Sequence, residues 1–174
     1  MRIAYCTNVR LPSERAHGHQ VARVCDALVK LGHDVHVFAP QRLNPITEDF
    51  WKYHGADRHI QLTHVASFDG IACPFTPSIF GLRLTTWSYC SKLRGLLTQQ
   101  PFDILYTRTP EILSCVLAAG APVILELHKL PRFGRRSFVR SCLQCRLIVC
   151  LTSPMRDTLE AWGVPREKML VSGD

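Results

Sequence analysis

The sequence predicts an α/β fold, a doubly wound parallel sheet of about seven strands in one domain. Three observations lead there. Short apolar runs of strand length recur along the chain, separated by segments with helical spacing or turn residues. The stretch ending at Pro40 reads as strand, helix, strand, the unit that closes right-handedly into a parallel pair. Finally, the 174 residues are 47% apolar, enough for one core and typical of a folded domain.

The elements follow in order. Ile3-Ala4-Tyr5-Cys6 has the length and content of a buried parallel strand. The polar run from Thr7 to His17 carries Pro12 and suits a loop. Val21, Val24, Cys25, Leu28 and Leu31 fall at helical spacing after Gly18, and Gly32 supplies the stop. Residues 35–39 resume the strand pattern. A short helix over 47–53 carries Trp51 onto the body, and 60–66 alternates as a third strand. Gly70, Pro74 and Pro77 mark 67–80 as a loop long enough to bind something. The next helix spans 82–99, with Leu82, Thr86, Tyr89, Leu93, Leu96 and Leu97 on its apolar face.

Residues 103–107 form the fourth strand. Thr109-Pro110-Glu111 then gives a cap, a proline in the first turn and an acid at the helix start, and the helix runs to about Ala119. The apolar run 122–127 is the fifth strand, a basic helix covers 134–145, and 147–151 is the sixth strand. Ser153-Pro154 opens a last helix that closes at Trp162-Gly163, and 168–172 is the seventh strand.

Composition excludes several classes. No apolar run reaches the length that spans a bilayer, and the N-terminus lacks the charged, apolar and small regions of a leader. The eight cysteines are scattered through predicted strands and helices, as expected of reduced, buried thiols in a cytoplasmic protein. The formal charge of +7 is concentrated. Between Lys129 and Arg146 (129–146) lie Arg132, Arg135, Arg136 and Arg140 with no acid, interleaved with Phe133, Phe138, Val139 and Leu143. That pattern fits first a solvated helix with one face in the core, and second a segment lying on an anionic membrane surface. No recognition-helix, zinc-finger or RNA-binding motif points to nucleic acid.

Several strands end alike, in polar residues after an apolar run: Thr7-Asn8, Thr107-Arg108, Glu126 to His128, and Thr152-Ser153. Open α/β sheets bind ligands outside the carboxyl ends, where strand order reverses beside the first strand. Asn8, Arg108, Glu126 and His128, with the turn at Gly18, are thereby nominated as one polar crevice. Alternation places Glu126 and His128 on one side, so the carboxylate can orient the imidazole or raise its pKa. Arg108 can fork a phosphate or carboxylate, or pair with Glu111 or Glu126. The N–H groups and dipole at the Gly18 turn can receive a phosphate. Ala16-His17-Gly18-His19 is not a dinucleotide fingerprint, and no acid ends the second strand, which argues against NAD. His17 with His19, and Cys142 with Cys145 and Cys150, fall short of a metal-ligand set, and no D-x-D is present, so no metal or other cofactor is expected.

Taken together, these segments resemble family 4 (group 1) glycosyltransferases, retaining enzymes of two facing Rossmann-like domains in the GT-B arrangement. The resemblance rests on Arg2-Ile-Ala-Tyr, Ala16-His-Gly-His, Leu31-Gly-His-Asp-Val and Val37-Phe-Ala-Pro. It continues through Asp103-Ile-Leu-Tyr-Thr-Arg, Val123-Ile-Leu-Glu-Leu-His, Ile148-Val-Cys-Leu-Thr-Ser and the stretch from Leu159 to Asp174. It implies that His128 is the active-site histidine that contacts the transferred sugar. It also implies that Gly18 is the second glycine of a Gly-Gly turn approaching the donor diphosphate, with His17 in place of the first. Arg108 stands where relatives carry histidine or another polar residue. Asn8 and Glu126 are candidates on the acceptor side.

The resemblance makes this chain the N-terminal, acceptor-binding half, with the C-terminal donor-binding domain absent. The expectation is a truncated form or one subunit of a split enzyme, inactive alone. Its substrates would be a nucleotide-sugar and a glycan or lipid-linked acceptor, and its partner the missing half. A peripheral position on the inner face of the membrane, and a non-catalytic anchoring or scaffold role, are the alternatives.

Overall fold

A computed structural model describes residues 1–56, 60–72 and 78–173. Seven strands form one sheet: β1 (Arg2–Cys6), β2 (Asp34–Pro40), β3 (Gln61–Val65), β4 (Ile104–Thr107), β5 (Val123–Leu127), β6 (Leu147–Cys150) and β7 (Met169–Val171). Their order is β3-β2-β1-β4-β5-β6-β7, and every pair is parallel. Six helices connect them: α1 (Ala16–Lys30), α2 (Phe50–Tyr53), α3 (Ser78–Gln99), α4 (Leu113–Leu117), α5 (Arg135–Gln144) and α6 (Ser153–Ala161). The predicted doubly wound, Rossmann-like sheet is what the chain forms.

Right-handed crossovers decide the layers. Connections moving toward β3 put α1 and α2 on one side, over Ile3, Tyr5, Val35 and Val37. Those moving toward β7 put α3 to α6 on the other, over Cys6, Phe38, Leu105, Leu125 and Ile148. The chain direction reverses between β1 and β4, so the switch point lies there.

Most predicted elements hold to within a residue or two, and the exceptions have local causes. The predicted 47–53 helix is trimmed to α2 because Asp49 caps it, its carboxylate accepting from the Trp51 and Lys52 N–H groups. Trp51 is buried as expected. The helix after Pro110 opens as a 310 turn, with Ile112 N–H on the Thr109 carbonyl, before α4 begins. Thr152, not Ser153, caps α6 through Met155 N–H. Gly32 takes φ +83°, the left-handed stop its position required. Pro74 and Pro77 lie outside the described residues.

The larger difference is α3. It begins four residues early, and its core stripe is Gly81, Thr85, Tyr89, Leu93 and Leu97 at successive i, i+4 positions. Leu82, assigned inward from sequence, faces solvent together with Phe80, Leu84 and Trp87. This helix is apolar around much of its circumference, so periodicity did not single out the buried stripe. Among the described residues, no helix is long and apolar enough to cross a membrane.

Candidate functional site

Strand parity builds the site. Tyr106 and Arg108 share a side of β4 and its extension, and Glu126 and His128 share the matching side of β5, because successive strand residues alternate. Both pairs point to the layer that holds α1. There the Glu126 carboxylate gathers three donors: Arg108 Nε at 3.1 Å on Oε1, the His128 ring on the same oxygen, and the Tyr106 hydroxyl on Oε2. Arg108 Nη2 reaches across to Gln20 Oε1 of α1 at 2.5 Å and lies 3.2 Å from His128 Nδ1. Because a carboxylate only accepts, the ring offers Nε2–H to Glu126, and Arg108 Nη2 and Nε crowd that same nitrogen at 2.5 and 3.1 Å, so the cation packs along this edge of the imidazole.

The cluster is graded from inside to outside. Arg108 and Glu126 side chains are 12% exposed and His128 is 26% exposed. Arg108 Nη1 is buried without a partner among the described residues. Burial, reinforced by the bond to Glu126, pushes the Tyr106 phenol well above its ordinary pKa, so it stays a hydrogen-bond donor. Tyr5 stacks against it with ring centroids 5.1 Å apart. Of the two members that meet the adjoining cleft, Arg108 and His128, the imidazole is the more exposed. That cleft has a volume of about 540 Å³ and is lined by Val9, Arg108, Glu111, His128, Lys129 and Arg132 among others.

Asn8 does not join this cluster, a correction to the single crevice expected. Leaving β1 with the opposite parity, its amide donates to Thr86 Oγ1 at 2.9 Å and accepts from Arg42 Nη2 at 2.9 Å. It ties α3 to the loop after β2. Together with Arg42 and His17 it lines a second cleft of about 470 Å³, also walled by Arg10, Arg15 and Asp69. Val9 borders both clefts.

The Gly18 turn is also corrected. Gly18 is the third residue of α1, buried, and its N–H donates to the Arg15 carbonyl at 2.9 Å. A Cβ there would sit 2.9 Å from both the Ser13 carbonyl and His54 Nε2. Glycine lets this first turn of α1 pack closely against Ser13 and His54. His17 contacts Ser13 Oγ at 3.3 Å, and burial, then Arg15 and Arg108, hold its pKa below the usual histidine range.

Cys142 and Cys145 are core residues, and burial pushes their thiols up to about 12 and about 11. They stay protonated and unreactive. No group of three metal-ligating side chains occurs among the described residues.

Sequence reasoning missed Gln20, Tyr106 and Arg42. Tyr106 was legible, since it stands two residues before Arg108 on one strand. Gln20 was not, because its role depends on where α1 docks.

The model of Glycosyltransferase Family 4 matches residues 18–171. No curated protein matches the sequence. Among solved structures, Anabaena HepE in complex with UDP-glucose is similar over 99% of this chain and 43% of its own, with 14% identity and a TM-score of 0.63. The lipopolysaccharide outer core galactosyltransferase WaaB is similar over 100% and 46%, with 12% identity and a TM-score of 0.66. UDP-GlcNAc 2-epimerase from Methanocaldococcus jannaschii is similar over 100% and 46%, with 13% identity and a TM-score of 0.67. At such identities the likeness is one of fold, and the chain spans less than half the length of each. With the family model matching nearly the whole chain on this GT-B half, the protein belongs to glycosyltransferase family 4.

Proposed function

We propose that this chain is the acceptor-binding half of a retaining glycosyltransferase. In this reading it moves a sugar from a nucleotide-sugar to a glycan or lipid-linked acceptor once a donor-binding half faces it. The observation that carries the proposal is the Arg108–Glu126–His128 cluster at the carboxyl ends of β4 and β5, beside the switch point, in a family 4 chain. Transfer breaks the bond between the anomeric carbon and a diphosphate oxygen, and negative charge grows on the departing diphosphate. Arg108 supplies a fixed cation on that side. His128, the most exposed member, contacts the transferred sugar. Glu126 spends its oxygens on Arg108, His128 and Tyr106 and acts as a positioning residue. His17 and Gly18 form the first turn of α1, and Asn8 holds Arg42 on the neighbouring cleft, where the acceptor sits.

The test is sugar transfer by the chain alone and by the chain joined to a donor-binding half. The chain alone is expected to be inactive. In the joined form His128→Ala should cut kcat by roughly 10²–10³ with an unchanged melting temperature. Near-normal turnover would eliminate the assignment.

A second reading, a non-catalytic anchoring subunit, is favoured by Phe133, which is 90% exposed among Lys129, Arg132, Arg135 and Arg136. Vesicle binding before and after replacement of Arg135, Arg136 and Arg140 by glutamine tests it.

A further inference from the structure

The cysteines divide into two kinds. Cys6, Cys25, Cys142, Cys145 and Cys150 are buried, and burial raises the pKa of each thiol. Cys90 of α3 and Cys115 of α4 are only half-buried. Both line an open cleft of about 800 Å³ between those helices, together with Thr86, Trp87, Arg94 and Glu111. The Cys115 thiol donates to the Cys90 carbonyl at 3.2 Å, and the two thiols also hydrogen-bond to each other. A sulfur that touches both the backbone and the thiol of its partner is close enough to be joined to it with little movement of either helix. The two are not equivalent. The bond from Cys90, opposed by burial and aided by a backbone bond and the charge of Arg94, holds the Cys115 pKa below the ordinary thiol value. That same bond, with burial, raises the pKa of Cys90, so Cys115 is the sulfur that ionises first.

We propose that Cys90 and Cys115 are a reversible dithiol–disulfide couple, an oxidation site that reacts with hydroperoxide. The Cys115 thiolate attacks one peroxide oxygen and the O–O bond breaks. A sulfenic acid forms on Cys115, and the departing hydroxide takes up a proton as water. The Cys90 sulfur then attacks that sulfenic sulfur and the S–O bond breaks. The second hydroxide leaves with the Cys90 proton, again as water. Two thiols thereby lose two electrons and two protons, and one hydrogen peroxide becomes two waters. A small-molecule thiol restores the dithiol by exchange. The disulfide ties the middle of α3 to α4 and closes a loop that contains β4 and Arg108. It also holds α3 against the segment that begins with the turn at Thr109 to Glu111, which walls the His128 cleft. The inference does not depend on the glycosyl-transfer reading.

The experiment treats the folded, reduced chain with hydrogen peroxide, alkylates the remaining thiols and maps the tryptic peptides by mass. Cleavage after Arg83, Lys92, Arg108 and Lys129 leaves Cys90 in 84–92 and Cys115 in 109–129, each with no other cysteine. Expected is one species joining these two peptides, lighter than their sum by two hydrogens, that disappears on treatment with dithiothreitol. Cys142 and Cys145 should remain thiols throughout. In Cys90→Ser the disulfide is lost and a sulfenic acid is trapped on Cys115 by a dimedone probe, whereas in Cys115→Ser Cys90 should stay a thiol. Circular dichroism melts of both variants and of the oxidised chain confirm that the fold persists. No joined peptide while the fold persists, or sulfinic acid accumulating on Cys115 in place of the disulfide, would overturn the proposal. So would a disulfide to Cys73, which lies outside the described residues, or a sulfenic acid trapped on Cys90 in Cys115→Ser.

Discussion

Glu126 serves three donors with two oxygens, and its replacement by glutamine tests that arrangement. Oε1 receives Arg108 Nε and the His128 ring, and Oε2 receives the Tyr106 hydroxyl. Glutamine has the same shape but one oxygen and one NH2, so at least one of the three donors must face another donor. Arg108 and Glu126 are each only 12% exposed, which leaves water little room to substitute. Charged hydrogen bonds contribute about 1.5–3 kcal/mol each. Removing one partner of a fully buried pair costs about 3–5 kcal/mol. With the residual exposure, Glu126→Gln is expected to cost about 2–4 kcal/mol. A domain of this size loses about 2–4 °C in Tm per kcal/mol, so the drop should be roughly 4–16 °C. Circular dichroism melts of Glu126→Gln, Arg108→Met and the double variant form a cycle. The double variant leaves no uncompensated buried charge, so it should be less destabilised than the sum of the singles by at least about 1.5 kcal/mol. A coupling below about 0.5 kcal/mol would refute the joint role assigned to the pair.

Gly18→Ala places a methyl 2.9 Å from the Ser13 carbonyl, and the overpacking should outweigh the helix-propensity gain by about 1 kcal/mol in a urea titration; a more stable variant would contradict the close approach. Tyr89→Phe removes a buried hydroxyl that donates to the Phe38 carbonyl at 2.9 Å, a carbonyl that keeps Thr7 N–H at 3.0 Å, so the expected loss is about 1 kcal/mol, against no loss if that bond is not made. Burial holds the pKa values of His17, His36, His54 and His64 below the usual range. As pH falls through about 6.5 the unfolded chain takes up protons that the native state refuses, so Tm should fall from pH 7.5 toward the depressed native values and then level; a Tm that rises on this side of neutrality would contradict the buried histidines.

What was legible in the sequence divides along one physical line. A strand has a period of two, so Arg108, Glu126 and His128 could be put on one face by counting, and only the docking of α1 was needed to add Gln20. Asn8 and Gly18 escape counting because they lie where the chain leaves a strand or enters a helix. There the direction of a side chain follows from which neighbour is close, here Arg42 and Thr86 for one and His54 for the other. The failure at Leu82 has a different origin. Period analysis assumes one buried face, and α3 has apolar residues on two. A helix that defeats the method in this way carries more apolar surface than its own core uses. Leu82 lies outside the stripe from Gly81 to Leu97 that packs on the sheet, so counting from a single apolar face turned it the wrong way.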